Sequence, residues 1–256
     1  MSASNSLGNV VTIAEFELRK VRHDVSQLFI RAIQPALWLI VFGEVFTRVR
    51  VLPDASYSYL QFLTPGVLAQ SVIFIAIFFG LALVWERDLG LVHKLLSTPA
   101  PRYSIVLGKT LSAGVRSVLQ AVVIFVLALA IGVPLNMNPL AVTGVFLVIV
   151  LSGMCFSGLS IFLASLLKTR ERMTGIGQAI VMPLFFASSA IYPVDLMPAW
   201  LQYVARINPL SYVVDAMRAL LVTGQFGNLP VDVGALVLAT TLVIVLATWT
   251  FRRIIE

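Results

Sequence analysis

The chain has 256 residues, of which 59% are hydrophobic and 12% charged, where a soluble domain carries roughly 25% charged residues. That balance excludes a soluble globular domain, and it excludes disorder, which needs few apolar residues and a high net charge. A lone cysteine, Cys155, excludes a disulfide framework, and the net charge of +6 is spread in small basic groups between apolar runs instead of forming a stripe that would hold nucleic acid.

What remains is an all-α polytopic membrane protein, one transmembrane unit spanning 1–256. The first apolar stretch begins near Ile30, after a charged segment and with no small-residue cleavage site behind it, so the N-terminus is expected to be kept. Before it, residues 10–25 place Ile13, Phe16 and Lys20 at helical spacing with Glu15, Glu17 and Arg19 between them. This pattern predicts an amphipathic helix on the inner membrane surface.

A helix needs roughly 20 apolar residues to cross a bilayer, and uncharged runs of that order predict six spans: Ile30–Phe46, Leu60–Trp85, Tyr103–Ile131, Leu140–Leu167, Gly175–Val194 and Val231–Phe251. The first is short of apolar residues and reaches membrane length by taking in Glu44 at one end and a snorkelling Arg31 at the other. The third, at 1.5 Å per residue, is about 43 Å long and carries Lys109 and Arg116 in its first half. Its N-terminal part is expected to project into the cytoplasm. The Gly132–Pro139 stretch, with two prolines and two asparagines, turns the third span into the fourth.

Two segments lie between spans. Residues 86–101 open with charges, carry Leu91, Leu95 and Leu96 at helical spacing and end in prolines, a pattern that fits a short cytoplasmic helix with Gly90 inside it or an ordinary solvated loop. Residues 195–224 hold aromatics and alternating apolar positions that predict short helices at the outer face. In this arrangement fourteen of the eighteen Lys and Arg residues fall on one side, and only Arg48, Arg50, Arg206 and Arg218 on the other. The asymmetry predicts cytoplasmic N- and C-termini and a multi-pass protein of the cell membrane.

No enzyme chemistry is expected, so no residue is assigned as catalytic. His23 and His93 lie in cytoplasmic segments, no aspartate lies deep in a span, and no cluster has metal-ligand spacing. Ser160 in GLSIF lacks the closing glycine of a nucleophile elbow and reads as a packing residue. Gly108–Thr110 reads GKT, the end of a phosphate-binding loop, but Tyr103 stands where that loop needs glycine. The chain is therefore expected to hold no cofactor, and energy for transport must come from another chain or from an ion gradient. Gly153, Ser157 and Gly158 with Cys155 read as a close-packing face.

Three motifs carry a resemblance. ERDLGLVHKLLSTPAPR (Glu86 to Arg102), INPLSYVVDAMR (Ile207 to Arg218) and LTPGVLAQS (Leu63 to Ser71) stand in order across nearly the whole chain. Together they resemble the ABC type-2 permease family, which includes drug, lipo-oligosaccharide and polysaccharide exporters. The chain departs from the family at Leu91 and His93, where a threonine and an acidic residue are common. The resemblance implies a membrane subunit that pairs with a second permease copy, as homo- or heterodimer, and with two cytoplasmic ATPase subunits that bind ATP and Mg. It also implies that residues 86–101 are a coupling helix, with Glu86, Arg87, Gly90, Ser97, Thr98 and Pro99 meeting the ATPase.

Phe74, Phe78 and Phe79, with Met182, Phe185 and Phe186, could line an apolar substrate path between two copies, or pack helices and face lipid as such residues do in any span. Glu44 is a candidate acid for a cationic group at the outer end, or a partner for Arg48 one helical turn away. The expected function is a permease subunit moving a hydrophobic or amphipathic substrate, drug-like, lipid-linked or saccharide, out of the cytoplasm. A gradient-driven small transporter is the alternative.

Overall fold

The computed structural model describes residues 3–21, 25–43, 45–46, 57–97, 101–167 and 169–254. They form helices with no strand among the described residues: α1 (Ala3–Val21), α2 (Val25–Leu37), α3 (Tyr59–Asp88), α4 (Leu91–Leu96), α5 (Arg102–Ala130), α6 (Pro139–Leu166), α7 (Arg170–Phe186), α8 (Ala199–Ile207), α9 (Pro209–Arg218) and α10 (Leu229–Thr250). Two of them run on as wider π turns, α2 through Trp38–Phe42 and α9 through Ala219–Thr223.

Local chemistry sets the starts. Ser58 and Gln61 form a reciprocal capping box at α3, each side chain bonding the other's backbone N–H at 3.2 and 2.8 Å. Asn138 and Asn208 cap α6 and α9 at 3.0 Å with proline in the first turn, where its missing N–H costs nothing. The break between α3 and α4 falls at Gly90, whose φ of +73° is a backbone that glycine adopts without strain.

Four helices are long and apolar enough to cross a membrane: α3, α5, α6 and α10. The other two expected spans are shorter. In α2 the apolar part runs over Ile30–Phe42, and the π turn follows Pro35, which has no N–H to give the helical ladder. The fifth expected span ends at Phe186, not at Val194. Asn208 Nδ2 donates to the carbonyls of Leu184 at 2.7 Å and Ala187 at 3.0 Å, and Ser188 Oγ donates to that of Phe185 at 2.7 Å. Those bonds satisfy the last carbonyls of α7 and free the chain to turn.

At the centre stands α3, whose Leu63, Val67, Leu68, Val72 and Ile73 are completely buried. Lipid is as apolar as leucine, so helices in a bilayer associate through close packing more than through water exclusion. The α5–α6 crossing follows that rule, since a Cβ added to Gly153 would sit 2.8 Å from Gly114 Cα. The small-residue face expected on α6 is divided among its neighbours. Gly153 meets α5, Gly158 faces Val243 and Ile244 of α10, and Ser160 donates to the Ile77 carbonyl of α3. By contrast α10 leaves Leu238, Leu242, Val245 and Trp249 exposed.

Candidate functional site

The two ends of α3 carry the polar chemistry. At the α4 end, Lys109 of α5 is one of the most deeply buried side chains, 1% exposed, in a helix otherwise built for lipid. A buried ammonium is tolerated only with partners, and Lys109 Nζ has two: Glu17 of α1 at 2.7 Å and Glu86 of α3 at 2.6 Å. The rings and cations around it add to the knot. Phe79 lies 5.8 Å from Lys109 Nζ and 5.4 Å from the Arg116 guanidinium, and Arg116 donates to the Glu17 carbonyl at 2.6 Å. One ammonium thus ties together three helices that are far apart in sequence.

Steric fit completes the seat. A Cβ on Gly108 would meet Ile13 Cβ at 2.8 Å and the Val10 carbonyl at 2.9 Å, so only glycine lets α1 lie so close to α5. The GKT triplet that resembled part of a nucleotide loop is therefore the docking surface for α1. The buried stripe of α1 runs through Ala14 and Glu17, while Phe16, expected on the apolar face, is 57% exposed. The carboxylate displaces the aromatic because Lys109 lies beneath it.

Beside this knot, α3 continues through Asp88 before the Gly90 turn, so the link is not the single helix expected over 86–101 and Gly90 precedes α4 instead of lying inside it. Val92 is fully buried against a cluster that includes Ile105, Ile161, Met173 and Phe251. His93 and Lys94 on the same short helix are exposed. Arg87 binds Asp88 at 2.9 Å, and Ser97 Oγ donates to the Lys94 carbonyl at 2.9 Å. Thr98, Pro99 and Glu44 lie outside the described residues.

The aromatic candidates separate. Phe74 and Phe78, ring centroids 6.5 Å apart, line a shallow groove with Gly177 and Val181 of α7. Phe185 is fully buried edge-on to Trp38 at 5.7 Å, Met182 and Phe186 are exposed, and Phe79 turns to the Lys109 knot.

At the opposite end, Arg218 of the INPLSYVVDAMR motif reaches α3 just before the LTPGVLAQS motif. Arg218 of α9 donates to the Ser189 carbonyl at 2.7 Å and the Phe62 carbonyl of α3 at 3.4 Å, and its guanidinium lies 3.9 Å over the Phe62 ring. Gly66 lets α3 touch the turn after α7, where a Cβ would sit 2.8 Å from Ala190 Cα.

The profile of the ABC-2 type transporter family matches residues 9–222, from the start of the buried α1 stripe to the π turn after α9. The chain belongs to the ABC-2 type transporter family. This ABC-2 permease is 32% identical over 191 residues to the ycf38 protein of Cyanophora paradoxa, covering 73% of the chain and 65% of that protein, just under two thirds of its length. It is 27% identical over 200 residues to the daunorubicin resistance ABC transporter permease protein DrrB1 of Streptomyces coeruleorubidus, covering 78% and 70% of the two chains. Nodulation protein J of Rhizobium leguminosarum bv. trifolii is 28% identical over 222 residues, 86% of this chain and 83% of that one. Two of these relatives are named as transport permeases.

The sequence alone does not mark Glu17, Lys109 and Arg218 as site residues. For Lys109 the signal was present, since a charge well inside an apolar helix marks function or a paired partner. For Glu17 there was none, because one carboxylate among alternating charges does not reveal which face is covered.

Proposed function

We propose that this ABC-2 permease is the membrane subunit of an ATP-driven exporter that works with a second permease copy and two ATPase subunits bound at the α4 end. The observation that carries the reading is the junction of Lys109 with Glu17 and Glu86. It makes α1, the inner end of α3 and α5 one body directly beside α4, so a push on the exposed His93–Lys94 face is shared by three helices instead of being absorbed in a loop. In this reading α2 and α7 are two short crossings beside the four long ones, which brings both termini to one side, and the basic asymmetry favours the cytoplasm for that side and for α4. The relative named for daunorubicin resistance and the groove beside Phe74 and Phe78 favour a hydrophobic or amphipathic cargo.

The test is reconstitution in proteoliposomes with daunorubicin as the probe. The permease alone is expected neither to bind nor to hydrolyse ATP, and uptake into inside-out vesicles is expected only when the ATPase subunits and ATP are added. Uptake by the permease alone under a proton gradient would favour a gradient-driven transporter instead.

A further inference from the structure

The end of the bundle opposite α4 is held by polar stitches between segments remote in sequence. Tyr59 donates to the Ile191 carbonyl at 2.8 Å, Gln61 to the Pro134 carbonyl at 2.7 Å, and the Asn136 N–H to the Leu221 carbonyl at 2.8 Å. Arg218 is the centre of this set. It contacts the turn at Ser189, the outer part of α3 at Phe62, and the Asp215 carboxylate at 3.0 Å. Ser189 Oγ also donates to Asp215, at 2.7 Å. The Arg218 side chain is 11% exposed and that of Asp215 40%, so the guanidinium faces inward and the carboxylate stands at the rim.

Beneath the stitches the polar inventory does not close. Gln70 lies two turns inward of Phe62 on α3, about 12 Å along the helix, and is completely buried with no hydrogen-bond partner for either amide atom. Ser211 Oγ and Arg218 Nε are buried without partners as well. Each such group destabilises the arrangement that buries it. Two of these atoms, on Ser211 and Arg218, lie at the charged contact that joins three segments, and two, on Gln70, lie deeper along α3. That pattern fits a closed state balanced against a hydrated one.

We propose that Arg218 is the latch of a gate at this end, a positioning residue that holds residues 187–218 against α3. When the latch releases, the segment lifts from Phe62 and Gly66, and water enters to reach Gln70 and Ser211. The contacts that close the gate are the Arg218 bonds, the Tyr59–Ile191 bond and the buried apolar face of α9, while the unpartnered atoms beneath them favour opening. A displacement of α3 driven from its Glu86 end would act on the latch directly, because Phe62 and Glu86 belong to one helix. This last link rests on the ATP-driven reading above; the latch itself does not.

The experiment places a cysteine at Gln70 in a Cys155→Ser background and follows its modification by an impermeant thiol reagent in lipid nanodiscs, where both faces are accessible. Arg218→Met is expected to raise the rate by about tenfold or more, the factor given by a loss of about 1.4 kcal/mol from the closed state. Arg218→Lys should restore part of the protection, and Asp215→Asn, which leaves the carbonyl contacts in place, should give a smaller rise. A cysteine at Ile161, buried at the α4 end, should label at the same rate in all backgrounds. An unchanged Gln70→Cys rate in Arg218→Met overturns the latch, and so does an equal rise at Ile161→Cys, which would mean general loosening. If Arg218→Met does not accumulate, Asp215→Asn and Phe62→Leu decide by the same readings. With the ATPase subunits present, ATP should raise Gln70→Cys labelling in the unmutated latch. A rise in Arg218→Met with no response to ATP would support the latch and overturn the ATP-driven reading.

Discussion

Lys109 concentrates at one residue a conflict that shapes the whole α4 end. An ammonium that is 1% exposed, flanked by carboxylates 3% and 14% exposed, adds little net stability as a set, but removing one partner leaves a buried charge and costs about 3–5 kcal/mol. Lys109→Met, which leaves two carboxylates facing each other, is therefore expected to lower the thermal midpoint in detergent more than Glu17→Gln, which leaves Lys109 bound to Glu86. Replacing all three with apolar residues of similar size should recover much of the midpoint, since a packed apolar set avoids the desolvation cost. If the single Lys109→Met variant melts with the parent protein, the ammonium is not buried as described. Gly90 gives a second residue-scale test. Nothing lies within 4 Å of an added Cβ, but φ is +73°, so Gly90→Ala should cost only the left-handed backbone term of about 1–2 kcal/mol. Gly90→Asn should be nearly neutral, and Gly90→Pro, which locks φ near −65°, should uncouple transport. Equal transport by the proline and asparagine variants would show that the turn transmits nothing.

Among the elements, the long helices were legible in the sequence because apolar runs bounded by charge, proline or capping residues leave little choice: α5 and α6 lie within a residue of expectation. The short elements were not, for a physical reason. Their ends are set by side chains far along the chain, as Asn208 ends α7, and the face they bury depends on what lies beneath, as Lys109 does beneath α1. Composition places α1 at an interface, but only the structure shows that its inward side carries Glu17 and its exposed side Phe16. This predicts that α1 can be detached sterically with its charges intact. Gly108→Leu would push against Ile13 and the Val10 backbone and should expose the Arg19 site to trypsin in proteoliposomes as strongly as Lys109→Met does. Continued protection in Gly108→Leu would mean that charge alone seats the helix.

For the whole molecule, α3 organises both ends, with Glu86 in the ion knot at one and Phe62 under Arg218 at the other, and orientation decides which of them faces the cytoplasm. The basic asymmetry bears on this only as far as the charges are available to the membrane surface. Lys109 and Arg116 are held inside by Glu17, and Arg218 is held inside by Ser189 and Phe62. Removing the first two from the fourteen and the last from the four leaves twelve against three, so the bias survives the correction. The structure also separates positions suited to reporter cysteines at the two ends. Ser97 ends α4 and Thr169 caps α7 beside the same cluster, while Asn138 follows Asn136, which bonds the π turn after α9. In a Cys155→Ser background, cysteines at Ser97 and Thr169 should be shielded from an impermeant reagent applied to intact cells and should label once the membrane is opened. Cysteines at Asn138 and Asn228 should label at once. The reverse pattern would put α4 outside the cell, out of reach of any cytoplasmic ATPase, and with it the coupling role of the Lys109 junction would fall.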